Sequence, residues 1–270
     1  LITPRIGILV VAYNAQDTLR ATLRRIPADL MEKIEEVFVF DDASQDRTVS
    51  VGRAHQREVQ DGKLSIFKNP DNLMYGGNQR RGYRYAMSRG FDIVVLLHGD
   101  GQYAPEVMQS LLAPLEMGDA EMVMGSRMLM PGAARRGHMP LYKFVGNKIL
   151  TFTQNKLAGT KFSEFHSGYR AYSVRALREL PLDQLTCGWH FDTQIILEFL
   201  KRKMRIVEVP IPTFYGDEIC RVNGIPYAFN CVRETASYAL TQRLRPRLGF
   251  RAASAAELPQ KDEQPLASFP

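Results

Sequence analysis

Cysteine is scarce in this sequence. Its three thiols, Cys187, Cys220 and Cys231, are too few and too widely spaced for a disulfide framework or a zinc site. That scarcity points to a reducing compartment, the cytoplasm. Long apolar runs are missing as well: no stretch of about 18 uncharged apolar residues is available to span a bilayer. The N-terminus has no basic segment followed by an apolar core and a small-residue cleavage site, so no signal peptide is read. No G-x-G-x-x-G follows the first apolar run. Gly76, Gly77 and Gly82 have the wrong spacing and position for one, which argues against a nicotinamide dehydrogenase. The phosphate-cradling G-x-x-x-x-G-K-[ST] is also missing, which excludes a P-loop protein. There is no internal repeat, and His138 and His190 stand far from any nucleophile signature.

Acidic residues are missing from one long stretch. Between Met122 and Ser163 there is no Asp or Glu, while Arg127, Arg135, Arg136, Lys143, Lys148, Lys156 and Lys161 all fall there. The formal net charge is +6, so the rest of the chain is close to neutral. A localised positive field suits an anionic partner: a pyrophosphate, a lipid phosphate or a membrane surface. The plainer alternative is a solvated basic face. No recognition module for nucleic acid accompanies the charge, so nucleic acid is not expected as a partner.

What is present reads as one α/β domain. Hydrophobic residues make up 45% of the 270 and charged residues 24%, an ordinary globular balance. Ile6 to Tyr13 is a continuous apolar run, as expected of a parallel strand buried on both faces. Leu19, Leu23 and Ile26 follow at helical spacing. Further strands are expected at Val37 to Phe40, Leu64 to Phe67, Ile93 to Leu97 and Glu121 to Gly125. Pro105 opens a helix whose apolar stripe is Val107, Leu111, Leu112 and Leu115. Alternating strands and helices imply a Rossmann-like, open, mostly parallel sheet with helices on both faces. Such sheets bind ligands at the carboxyl ends of their strands. Tyr13-Asn14, Asp41-Asp42 and His98 to Gln102 are therefore expected to line one crevice.

The second half differs. Leu141, Phe144, Val145, Ile149, Phe152 and Leu157 form a helical stripe interspersed with Lys143, Lys148 and Lys156. Core packing and membrane contact are both open readings of that stripe. Met128, Met130 and Met139 read as exposed. Phe191 to Leu200 is another helix, and Arg205 to Val209 is a strand closed by Pro210 and Pro212. Residues 1–245 are expected to form a single domain, with a nucleotide-sugar-binding half at 1–130 and an acceptor-binding half at 131–245. Residues 246–270 lose all periodicity and are expected to be a mobile tail.

The chemistry-bearing residues sit at the strand ends. Asp41 and Asp42 are adjacent carboxylates, costly unless something positive or hydrogen-bonding meets them. They are read as contacts to a nucleoside base and ribose, with helix capping by Asp42, Ser44 or Asp46 as the plainer alternative. Asp100 is a hard oxygen ligand at the end of an apolar strand. Gly99 and Gly101 on either side let the backbone approach phosphates closely. Magnesium or manganese bound by one or two carboxylates and substrate phosphates is the usual arrangement for nucleotide chemistry.

The chain resembles family 2 glycosyltransferases of the GT-A fold, in particular the dolichyl- and polyprenyl-phosphate sugar synthases. The resemblance runs over residues 5–240. It rests on VVAYNA (10–15), FDDASQDRT (40–48), NLMYGGNQRRG (72–82), LLHGDGQYAPE (96–106), GSR (125–127), EFHSGYRAY (164–172) and IVEVPI (206–211). It implies that Asn14 and Asp42 contact the nucleotide, and Tyr13, Asp41, Gly77, Asn78 and Gly99 are counted with them as candidate donor-binding residues. It also implies that Asp100 and Gln102 hold the metal, manganese or magnesium, and that Arg127 faces the phosphates. His98 stands where the family pattern has Asp and is counted as a further metal ligand, one that favours manganese.

The resemblance implies an inverting transfer from UDP- or GDP-sugar to a polyprenyl phosphate, on the cytoplasmic face of a membrane. A saccharide hydroxyl acceptor would need a general base, for which Glu164 and Asp192 are the candidates. A catalytically silent nucleotide-sugar binder is the other alternative, suggested by His98.

Overall fold

The computed structural model describes residues 3–213 and 222–244. The expected tail and Cys220 lie outside the described residues. The strands are β1 (Ile6–Ala12), β2 (Ile34–Asp41), β3 (Leu64–Lys68), β4 (Ile93–His98), β5 (Met122–Ser126), β6 (Arg170–Ser173) and β7 (Ile206–Pro210). The α-helices are α1 (Leu19–Arg24), α2 (Ala28–Lys33), α3 (Thr48–Val59), α4 (Met74–Ser88) and α5 (Met108–Glu116). They continue with α6 (Ala133–Arg136), α7 (Leu141–Ala158), α8 (Val174–Arg178), α9 (Phe191–Lys201) and α10 (Gly224–Leu244).

The sheet has the order β3-β2-β1-β4-β6-β5-β7. β1 pairs in parallel with both β2 and β4, β2 with β3, and β5 with β7. β6 alone runs the other way, antiparallel to β4 and β5. The observed sheet is thus the mostly parallel one expected, with one reversed strand inserted.

Two apolar layers cover the sheet because successive strand residues face opposite sides. Ile8, Val10, Val37, Val39, Val95 and Leu97 pack with Leu111 and Leu112 of α5 on one face. Leu9, Val11, Phe38, Phe40, Val94 and Leu96 pack with Tyr83 of α4 and Phe191 and Phe199 of α9 on the other. β1 is buried at all seven positions, which is why it reads as an unbroken apolar run.

The strand order reverses at β1, whose neighbours are β2 and β4. A crevice opens at the carboxyl ends of strands where the order reverses. Asn14, Asp42 and Asp100 leave the sheet at that edge.

α7 inverts the usual polarity of a packed helix. Its buried residues are Thr151 and Gln154, and Gln154 Nε2 donates to Thr235 Oγ1 on α10 at 3.2 Å. Leu141, Tyr142, Val145, Ile149 and Phe152 are exposed, while Phe144 and Leu157 are half-buried. The stripe is therefore not core. One expectation fails nearby: Met128 and Met139 are buried, packed with Ala134 and against Phe144, and only Met130 is exposed. The turn of α6 folds back over them.

Candidate active site

The donor side is a web of loop contacts. Asn14 adopts a left-handed backbone (φ 48°). Its N–H donates to Ser44 Oγ at 2.8 Å, and its Oδ1 accepts from Gln45 N–H at 3.0 Å. Asn14 thus ties the β1 loop to the β2 loop. Asp46 accepts the first N–H of α3, from Thr48 at 2.9 Å, so the capping role falls to Asp46. Asp42 Oδ1 accepts from Leu73 N–H at 2.7 Å and from Asn69 Nδ2 at 3.0 Å. Asp41 Oδ2 accepts from Ser44 N–H at 2.9 Å, whereas its buried Oδ1 has no partner. Burial raises the pKa of Asp41 against the pull of Ser44 and Lys68.

Two residues expected at the donor are spent inside the protein. Asn78 Nδ2 donates to Phe40 O at 2.9 Å, and its Oδ1 accepts from Asn69 Nδ2 at 2.9 Å. A Cβ on Gly77 would stand 3.0 Å from Leu73 Cβ and 3.5 Å from Cys187 Sγ. Asn78 braces α4 against β2, and Gly77 lets Leu73 and the segment around Cys187 pack close.

At the end of β4, Asp100 is exposed, and its Oδ1 accepts from Gln102 N–H at 3.1 Å. Gly101 between them has φ 78°, a turn that favours glycine. Gly99 is buried against Ala12 and Leu19. Among the described residues no group of three or more His, Cys, Asp or Glu could hold a metal unaided. One exposed carboxylate at this strand end still fits a hard divalent cation whose remaining ligands are substrate phosphates.

His98 is packed differently from the sequence expectation. Its ring meets Tyr103 edge-on at 5.1 Å, and its Nε2 lies 3.4 Å from Tyr75 Oη. A Cβ on Gly168 would stand 2.7 Å from both Nε2 and Cε1. That edge of the imidazole, Nε2 included, is taken up by protein contacts, which tells against the expected ligand role of His98. Burial lowers the His98 pKa against the pull of Asp100 and Asp192.

The two expected base candidates are both engaged. Arg127 donates from its backbone N–H to Glu164 Oε2 at 2.8 Å, and its Nε and Nη2 donate to Oε1. Asn147 Nδ2, from α7, donates to the same Oε1 at 2.8 Å. Burial works against the charge of Glu164, but Arg127 and Asn147 outweigh it and hold its carboxyl below the ordinary value. A saturated, depressed carboxylate is a poor proton acceptor. Asp192, at the start of α9, accepts from Tyr75 Oη at 2.7 Å and from Gln79 Nε2 at 3.3 Å. The wholly buried Arg170 lies 3.6 Å from Asp192 Oδ1 and donates to its carbonyl at 2.9 Å. Each of these carboxylates positions another side chain: Glu164 sets Arg127, and Asp192 sets Tyr75.

Residues 7–181 match the family described as Glycosyl transferase family 2. The chain belongs to that family. This glycosyltransferase is 29% identical over 251 residues to the undecaprenyl-phosphate mannosyltransferase of Micrococcus luteus, covering 91% of this chain and 100% of the relative. It is 28% identical to the UDP-N-acetylglucosamine--dolichyl-phosphate N-acetylglucosaminyltransferase of Methanococcus voltae, covering 78% of this chain and 86% of the relative. Its GT-A fold matches glucosyl-3-phosphoglycerate synthase of Mycobacterium tuberculosis, solved with Mn2+, UDP and phosphoglyceric acid. That superposition has a TM-score of 0.65 at 16% identity, over 87% of this chain and 78% of that one.

Around these groups lie residues that the strand-end argument passes over. Tyr75 stands between His98 and Asp192. Trp189 stacks on Tyr75 with ring centroids 4.8 Å apart. His166 O accepts from Arg127 Nη2 at 3.3 Å, and its buried ring is pushed down to about 4 by desolvation. The signal available for Trp189 was its being the only tryptophan of the chain. For Tyr75 and His166 it was only their presence inside the family-like segments.

Proposed function

We propose that this enzyme transfers a sugar from a UDP- or GDP-sugar to a polyprenyl phosphate at a membrane surface, with inversion at the anomeric carbon. Residues 1–130 supply the donor side of one domain, and residues 131–245 the acceptor side. The observation that carries the reading is α7. Its exposed Leu141, Tyr142, Val145, Ile149 and Phe152 sit among lysines, as in helices that lie in the headgroup region. From the same helix, Asn147 hydrogen-bonds Glu164, the partner of Arg127. A lipid-facing element is thus joined directly to a buried cation that can face phosphates. The relatives named above, which act on undecaprenyl and dolichyl phosphate by their names, support the same acceptor class. Among the described residues no helix is long and apolar enough to cross a membrane, so contact through α7 would be peripheral.

In the transfer, the bond between the anomeric carbon and the pyrophosphate oxygen breaks, and its electron pair leaves with the nucleoside diphosphate. An oxygen of the acceptor phosphate forms the new bond from the opposite face. A phosphomonoester has a second pKa of about 6, so the nucleophile is already ionised and needs no base. That agrees with Glu164 and Asp192 both being engaged. Asp42 and the loop that Asn14 braces would take the nucleoside, and Arg127 the phosphates. Asp100 and Gln102 would hold a divalent cation, which when bound neutralises charge on the leaving pyrophosphate.

The test pairs UDP- and GDP-sugars with a short-chain polyprenyl phosphate and with soluble saccharides, in manganese and in magnesium. Transfer to the lipid phosphate should survive Glu164→Gln and Asp192→Asn, each made alone. Transfer only to saccharide hydroxyls, with activity lost in one of those amide variants, would sink the proposal. So would binding of donor with no transfer to any acceptor.

A further inference from the structure

Trp189 is the only tryptophan of the chain, and it is 37% exposed. Several independent contacts fix its surroundings. Its indole stacks on Tyr75 at 4.8 Å with 27° between the planes. Tyr75 in turn donates to the buried Asp192 at 2.7 Å and edges His98 at 3.4 Å. The backbone beside Trp189 is pinned to α4: Gly76 N–H donates to Cys187 O at 2.7 Å. Arg80 reaches Leu182 O and Leu185 O at 3.1 Å each, and Cys187 Sγ at 3.0 Å. A Cβ on Gly76 would stand 2.6 Å from Thr186 O, so this approach requires glycine. Core packing gives no reason to build so firm a mount and leave the indole partly open.

The position of the mount is informative. Trp189, Tyr75 and His98 form a contiguous row of rings, and His98 stands two residues before Asp100. The row of rings thus begins at the end of β4, close in the chain to the carboxylate proposed to hold the cation that meets the donor pyrophosphate, and ends at an open aromatic face. The part of a nucleotide-diphosphate sugar that lies beyond the pyrophosphate is the sugar ring. A pyranose presents C–H groups on its faces and hydroxyls at its rim. Such a face packs on an aromatic ring while the rim keeps its hydrogen bonds.

We infer that Trp189, backed by Tyr75, is the platform on which the neutral hexopyranose ring of the donor lies. This rests on the donor reading given above. Tyr75 and Asp192 are positioning residues in it, because they act through the indole. The stack sets the height and tilt of the sugar relative to Asp100.

Because Trp189 is the sole tryptophan, intrinsic fluorescence reads this one position. The full-length protein is titrated with UDP and GDP, then with the corresponding sugar nucleotides, with manganese present throughout. Calorimetry identifies the diphosphate that binds. That diphosphate should leave the emission nearly unchanged, and its sugar nucleotide should shift or quench it. Trp189→Ala should raise the donor KM about tenfold, the scale of one aromatic contact, and leave the diphosphate Kd unaltered. Trp189→Phe should keep most of the affinity, which separates a lost platform from a misfolded loop.

Identical emission with and without the sugar, or an unchanged donor KM in Trp189→Ala, overturns the inference while diphosphate binding keeps the donor reading intact. A response only to vesicles carrying polyprenyl phosphate gives the indole to the acceptor lipid and also overturns it. No binding of either diphosphate removes the donor reading itself, and the platform with it.

Discussion

Asp100 and Glu164 are both acidic, yet their surroundings predict opposite costs of removal. Asp100 is exposed, and its Oδ1 accepts from Gln102 N–H. Asp100→Ala should change stability by no more than about 0.5 kcal/mol, while transfer falls by about 100-fold or more. Thermal unfolding and steady-state rates check both halves, and near-wild-type turnover would remove Asp100 from the site. Glu164 is buried against Arg127. Its folded pKa lies below its unfolded one, so its contribution is complete above the unfolded value and is lost as pH falls through the folded value. Glu164→Gln should therefore flatten the acid limb of stability. Glu164→Ala, which strands Arg127, should cost about 3–5 kcal/mol. Urea unfolding from neutral pH down to about pH 3 reads this, and superimposable profiles for wild type and Glu164→Gln would contradict it. Residue identity at strand ends was legible in the sequence, but residue duty was not. Asn78 and Gly77 looked like ligand contacts and serve packing. Which positions the fold consumes internally depends on neighbours such as Phe40 and Cys187, distant in sequence.

Strands buried on both faces were easy to read, because unbroken apolar runs such as Ile6–Ala12 have no other common use. β6 escaped because it opens with Arg170, the largest wholly buried side chain, whose charge is met by carbonyls of Phe165, Ser167 and Asp192. No pattern of apolar residues announces such a strand. α4 escaped for a related reason: its buried face includes Gly76, Gly77, Asn78, Gln79 and Gly82, which carry no apolar periodicity. A Cβ on Gly82 would lie 2.4 Å from Leu9 side-chain atoms, so α4 is glycine-rich in order to sit close on β1. α7 was legible as a helix, and its direction was not. Replacing Lys143, Lys148 and Lys156 together by Ala should weaken binding to anionic liposomes by roughly 3 kcal/mol, about 100-fold. Ile149→Ser with Phe152→Ser should weaken it further at high salt, where the charges are screened. Co-sedimentation that is unaffected by either set would return α7 to an ordinary solvated surface.

The sheet joins the two halves of the molecule. β6 and β7 come from after residue 130, yet β6 lies between β4 and β5, and β7 forms the edge beyond β5. A fragment of residues 1–130 would leave β4 and β5 without their shared neighbour, exposing apolar edges that template aggregation. It should show no cooperative unfolding transition by calorimetry, and a sharp transition in that fragment would mean that the donor half folds unaided. The same insertion has a consequence during synthesis on the ribosome. β4 is complete at His98, but its outer neighbour ends at Ser173, about 75 residues later. At translation rates of about 5–20 residues per second, one side of β4 waits roughly 4–15 s for its partner. For that interval the nascent chain carries a bare apolar strand edge. A holding chaperone would bind there, and the dwell is set by the codons between residues 98 and 173.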